Sequence, residues 1–144
     1  MIILRIVNRQ RKERLTLPLL EKMAYLAFSD CLSHIGGPDA VLPDLTAIEI
    51  TLVSDKAISS VHKLFFDDAS PTDVITFPHG EIIISVETAS ANGQRYGHSV
   101  IMETALCIIH GFLHLNGYDD QTPQQAEKMA QRQNAILEAV CRKM

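Results

Sequence analysis

The residues able to do chemistry gather in one stretch, from His110 to Asp120. His110 and His114 stand four apart in a segment that reads as helix. Their imidazoles therefore leave the same face, with Cβ atoms roughly 5–6 Å apart. Two imidazoles so placed can both reach one tetrahedral metal ion, with bonds of about 2.0–2.1 Å. Gly117 stops the helix soon after the second histidine and turns the chain. The turn swings Asp119 and Asp120 toward the same face, where a third ligand would have to sit. Gly111, beside His110, costs a helix about 1 kcal/mol against alanine, and its missing side chain leaves room for a substrate or another stretch of backbone. Ile108, Ile109, Phe112, Leu113 and Leu115 are apolar. Histidines buried among them need polar partners, and a metal with carboxylate neighbours supplies these. The plain alternative is two helix-face histidines with no ion between them.

Glu103 and Cys107 share the histidine stripe. Glu103 lies about 10 Å back along the axis from His110, too far to share a metal but able to orient groups arriving from the sheet. Cys107 is read as core, since a free cysteine usually behaves as a small buried hydrophobe. His98 is some 18 Å from His110 and reads as a capping or surface group. His34, His62 and His79 show no partner spacing.

The elements that must position these residues follow from periodicity. Ile2 to Val7 reads as a first strand. A helix follows from about Pro18, with Thr16 as its cap and a stripe of Leu20, Met23, Ala24, Ala27, Cys31 and Ile35, ended by Gly36, Gly37 and Pro38. Ile48 to Leu52 alternates as a half-buried strand. Ser54 caps a short helix with Ile58, Val61 and Phe65 on its buried face. Pro71 and Thr72 open a strand from Asp73 to Phe77, which turns at Pro78 to Gly80 and returns as Glu81 to Ser85, a hairpin. Ser99 caps the histidine helix, which runs to Asn116. Thr122 to Gln125 forms a capping box for a last helix that buries Ala126, Met129, Ile136 and Val140. Strands mixed with helices indicate an α+β (α/β layer) fold, with the metal site on the long helix after the hairpin.

The 144 residues are read as a single domain, 1–144, long enough to bury a core without staples. Cys31, Cys107 and Cys141 are widely spaced with no C-x-x-C pair, so reduced thiols, no disulfide-linked partner and a cytoplasmic protein are expected. No secretory h-region fits the start, and no apolar run approaches the roughly 18 residues of a membrane span. The net charge of -4, taken alone, speaks against nucleic acid, but its distribution is uneven. Residues 1–20 carry net +4, residues 21–120 net -10 and residues 121–144 net +2. The reading is that the basic ends fold into a rim beside an acidic centre. Some of those acids then surround a metal whose charge the formula omits.

On these residues the chain resembles the YbeY family of bacterial rRNA maturation factors, which are metal-dependent endoribonucleases. The family signature H-G-x-L-H-L-x-G-Y-D-H is matched from His110 through Asp119 and departs at its last position, Asp120. Pro71 to Pro78 resembles the family strand P-T-D-V-L-S-F-P, Gly80 to Ser85 its G-D-I-x-I-S strand, and Glu103 falls on a family glutamate. The resemblance, from about Ile48 to the end, implies about four strands in a mixed sheet with flanking helices and a zinc site on the fourth helix. It also implies action on single-stranded RNA at the 3′ end of small-subunit rRNA, with ribosome quality control as context. The partners implied are single-stranded rRNA and the small ribosomal subunit.

Two departures bear on mechanism. With Asp120 in place of the family's third histidine, the ligand set becomes His110, His114 and Asp120, holding one zinc ion. Asp119 is either a neighbour that orients a histidine or the third ligand itself. An oxygen ligand makes Mn²⁺ or Mg²⁺ more competitive. The family arginine before the P-T-D strand falls on Phe66. The RNA is then expected to meet Arg5, Arg9, Arg11 and Lys12, or the C-terminal basic residues. No general base is assignable. The alternatives are a non-catalytic ribosome-associated module with a degenerate site, and a zinc peptidase. The peptidase lacks its usual base, because Gly111 stands where H-E-x-x-H enzymes place glutamate.

Overall fold

The structure, a computed structural model, describes residues 2–70 and 72–144. Strand β1 (Ile3–Asn8) leads through helix α1 (Leu17–Leu32) and a short 3₁₀ turn (Leu42–Asp44) to β2 (Ala47–Val53). Helix α2 (Asp55–Phe66) precedes the hairpin β3 (Val74–Phe77) and β4 (Glu81–Ser85), after which come α3 (Val86–Tyr96), α4 (Val100–Leu115) and α5 (Pro123–Arg142). The four-stranded sheet has the order β1-β2-β4-β3. β1, β2 and β4 run parallel, and β3 is antiparallel to β4. This is the mixed sheet with flanking helices that the α+β reading anticipates.

Register decides which side chains face which layer. Ile50 stands opposite Ile6 on one side and Ile82 on the other, and Leu52 opposite Ile84. Successive residues point to opposite faces, so Ile48, Ile50, Leu52, Ile82 and Ile84 form one apolar face. That face joins the main core with Leu20, Met23 and Phe28 of α1 and Ile108 and Phe112 of α4. Each such side chain, fully withdrawn from water, contributes roughly 1.5–3 kcal/mol. The other face carries a smaller cluster, in which Val53, Ile75 and Ile83 pack under Ile58 of α2. Helix α5 lies across α1 and α4.

The local signals act as their chemistry requires. The hydroxyls of Ser54, Ser99 and Thr122 accept from the N–H groups of Ala57, Met102 and Gln125, and Gln125 Oε1 accepts in return from Thr122 N–H. Thr16 takes the N-cap position of α1 without a side-chain bond.

The differences are instructive. Helix α1 stops at Leu32, short of Ile35, which is exposed. On α2 only Ile58 is buried, while Val61 is half-buried and Phe65 exposed. On α5, Leu137 is buried and Ala126 only half-buried. Strand β3 begins at Val74, with Asp73 before it; Pro71 lies outside the described residues. Helix α3 has no counterpart in the periodicity, because it buries only small or single side chains: Val86, Ala89 and Gly93. Among the described residues, no single helix is long and apolar enough to cross a membrane. Cys31, Cys107 and Cys141 are free, the first two buried.

Candidate metal centre

Helix α4 sits close on the sheet because of Gly111. A Cβ there would come within 2.8 Å of Ile82 Cδ1. The missing side chain therefore serves helix–sheet packing rather than making room for substrate.

The C-terminal end of α4 is held by the chain after α1. Asn116 is fully buried, and its side-chain amide donates to the carbonyls of Cys31 and His34. Gly36 N–H donates to Asn116 O and Val41 N–H to Leu115 O. Gly117 takes the left-handed conformation at φ 93°, packed against Gly37 so closely that a Cβ would meet Gly37 N at 2.7 Å. A Cβ on Gly36 would strike the Tyr118 ring. Two glycines on one side and one on the other thus let two loops approach, and the clamp fixes the turn that carries Asp119 and Asp120.

That turn brings three ligand groups together. His110 Nε2 and His114 Nε2 are 3.1 Å apart, and Asp120 Oδ2 lies 3.7 Å from the first and 3.6 Å from the second. A tetrahedral ion with bonds of about 2.0–2.1 Å needs ligand atoms about 3.3 Å apart, so the spacing fits a zinc-sized ion. The proton positions fit as well. His114 Nδ1 donates to the Tyr118 carbonyl at 3.2 Å, and His110 Nδ1 donates to Gln133 Oε1 at 2.8 Å. Each ring then turns a bare Nε2 lone pair toward the other. Two facing lone pairs cannot bond to each other, so a cation between them is what the arrangement calls for. Burial, followed by the charge of His110, lowers the His114 pKa and favours the neutral, ligating ring. These three residues can hold a metal ion.

The other expected residues are placed differently. Asp119 Oδ1 accepts from Asp120 N–H at 2.8 Å, so it shapes the turn of the third ligand rather than orienting a histidine. Glu103 is buried and accepts from His98 Nδ1 at 2.7 Å; its partner is at the α3–α4 corner, not at the metal group. His98 is more than a capping group, since this bond ties α4 to the loop before it. Gln133, which steadies His110, carries no signal in the sequence. His34, read as having no partner spacing, does have one, lying four residues from Asp30 and 3.5 Å from it.

A cleft of about 520 Å³ opens beside the three ligands, between the free edge of β3 and the end of α2. His62 and Phe66 form part of its wall, with Thr76 and Pro78 from the hairpin. Three carboxylates line it, those of Asp39, Asp119 and Asp120, and no described lining residue is Lys or Arg.

The N-terminal basic residues lie elsewhere. β1 is the far edge of the sheet from β3, about 14 Å across three strand spacings. Arg5 is 3.9 Å from Glu49, and Lys12 bonds Glu87 at 3.1 Å. Arg9 and Arg11 are exposed past the end of β1. The structure does not bring these four to the cleft, because the strand order puts two strands between. Of the C-terminal basic residues, Lys128 sits 5.8 Å from the Tyr118 ring centre and Arg132 3.5 Å from His34 Nε2.

Comparison with known proteins gives concordant results. The family model for endoribonuclease YbeY matches residues 5–141. The chain is similar to the endoribonuclease YbeY of Moorella thermoacetica, 38% identical over 112 residues, covering 65% of this chain and 72% of the relative. It is also similar to that of Bacillus licheniformis, 30% identical over 131 residues, covering 78% and 83%. Among solved structures, the solution structure of TM1509 from Thermotoga maritima matches with a TM-score of 0.65 at 26% identity, over 96% of this chain and 89% of that one.

Proposed function

The chain belongs to the endoribonuclease YbeY family, and from that premise we propose that it is a zinc-dependent endoribonuclease of single-stranded RNA. Its substrate is the 3′ end of small-subunit rRNA, its partner the small ribosomal subunit, its role rRNA maturation and ribosome quality control, and its compartment the cytoplasm. The observation that carries the catalytic part is the convergence of two bare Nε2 atoms and the Asp120 carboxylate at one end of a cleft.

His110, His114 and Asp120 would hold a divalent ion, which would supply Lewis-acid stabilisation of charge on phosphoryl oxygens. The chain's own residues do the rest. Tyr118 O and Gln133 Oε1 fix both imidazoles in the Nδ1–H tautomer. Asp119 holds the turn that presents Asp120. Asp120 offsets part of the ion's charge and, as an oxygen donor, admits Mn²⁺ or Mg²⁺ more readily than a third imidazole would.

The test uses untagged protein on single-stranded RNA and on casein, with and without a chelator. Chelator-sensitive cleavage of RNA alone is the expected result; cleavage that survives chelation contradicts the proposal. Casein cleavage would select a peptidase, for which Gly111, packed on Ile82, leaves no glutamate base beside His110. A second reading, a ribosome-associated module without catalysis, is favoured by the absence of Lys and Arg among the described residues lining the cleft. Intact RNA together with ribosome binding would select it.

A further inference from the structure

We propose that Phe66, buttressed by His62, is a stacking site for one unpaired nucleobase of the RNA in the metal cleft. This rests on the endoribonuclease reading and says how the substrate is held.

Phe66 is the last residue of α2, and its exposure of 55% is high for so large an apolar residue. It nevertheless lines the same cleft as His110, His114 and Asp120. Its neighbour Phe65 has an aromatic partner, Phe77, with ring centres 5.2 Å apart. Among the described residues, Phe66 has only the His62 ring as an aromatic partner, at 5.5 Å and tilted by 57°. His62 is itself pinned, its Nδ1 donating to Ser70 O at 3.0 Å. The backbone beyond Phe66 is fixed as well. Asp67 takes the left-handed conformation at φ 54° and its N–H donates to Lys63 O at 3.0 Å. One side of the ring is therefore supported, its main chain is locked, and much of its surface faces open space. Such a preorganised aromatic surface loses little freedom when a second ring lies on it.

Charge points to the same ligand. With three carboxylates and no described Lys or Arg on the cleft wall, the protein offers the RNA backbone no side-chain cation there. The grip that an ion does not supply must come from the bases. Stacking of a base on an aromatic side chain suits this, because every base has a π-face and none needs a positive partner. Continuity with the metal group selects a base over an apolar protein segment, since a strand cleaved at the ligands must pass the same wall.

The experiment measures cleavage, and binding in chelator, for wild type, Phe66→Leu and Phe66→Trp. The substrates are a single-stranded oligonucleotide and a series carrying one abasic nucleotide at each position in turn. Leucine keeps the apolar bulk and removes the π-face, and the exposed position makes misfolding no confounder. Phe66→Leu is expected to weaken binding and raise KM by about 5- to 100-fold with kcat nearly unchanged, and Phe66→Trp to restore both. One abasic position should penalise wild type and leave Phe66→Leu unaffected. Equal constants for wild type and Phe66→Leu, or abasic penalties identical in both, overturn the proposal. So does a loss of ribosomal-subunit association with unchanged oligonucleotide constants, which assigns the ring to docking on the assembled subunit rather than to a base in the cleft. Wild type that neither binds nor cleaves RNA overturns the endoribonuclease reading as well. Wild type that cleaves as well as Phe66→Leu does overturns the stacking site alone.

Discussion

Helix α4 carries histidine–carboxylate chemistry near both of its ends, and the two ends behave differently. Near the N-terminal end His98 donates directly to Glu103 at 2.7 Å. The carboxylate is buried and the pair satisfies itself. At the C-terminal end two imidazoles face each other at 3.1 Å, and Asp120 stands off at 3.6–3.7 Å. There each Nδ1 is already committed, to Gln133 and to the Tyr118 carbonyl. The lone pairs that remain have no protein donor among the described residues to take them. The presence of histidine and carboxylate does not make a metal site; acceptors left converging on one point do.

The comparison breaks most sharply at His114. His114→Ala leaves two ligands, and its metal affinity should fall by more than the 10–100-fold typical of losing an outer partner, taking RNA cleavage with it. Gln133→Ala removes such an outer partner at the other imidazole. It should weaken metal binding about 10- to 100-fold in a chelator competition, with full occupancy recovered at excess metal. An unchanged affinity would separate Gln133 from the metal altogether.

Glu103→Ala tests the opposite end. It removes a buried acceptor from His98 and should cost about 1–3 kcal/mol in denaturant unfolding while metal content stays the same. A loss of metal in that variant would mean the two ends are coupled. The stretch between them should be chemically quiet. Burial raises the Cys107 thiol pKa well above its ordinary value, and that of Cys31 on α1 is pushed up to about 12. Because the thiolate is the nucleophile, iodoacetamide at neutral pH should label the exposed Cys141 in native protein and spare the other two. Labelling of Cys107 at a comparable rate would show that α4 opens along its length.

The metal group was legible because its signals are local. The i, i+4 histidines and the glycine stop lie within one helix end, and they point to Asp120 from sequence alone, although the turn that presents it is fixed by long-range bonds from Asn116 to Cys31 and His34. The fold class and the hairpin were legible for the same reason, through alternation and caps. What lay outside sequence reach depends on tertiary packing. Gln133 is 23 residues from His110 and meets it only because α5 crosses α4. Helix α3 has almost no apolar stripe, since Gly93 is there to let α4 approach: a Cβ would meet Glu103 Cγ at 3.1 Å. That the N-terminal basic residues lie away from the cleft was beyond sequence reach, because charge counted along the chain carries no strand order and β1 is the edge opposite the cleft. The Phe66 position was noticed for the arginine it lacks, while the His62 ring behind it sits one helical turn earlier and had no visible purpose until α2 was placed against the hairpin.

Elemental analysis of untagged wild type and Asp120→Ala tests the central claim most directly. The account predicts one divalent ion per wild-type chain and none retained by the variant. Full metal content in Asp120→Ala, or a wild type that takes up no ion, would contradict it.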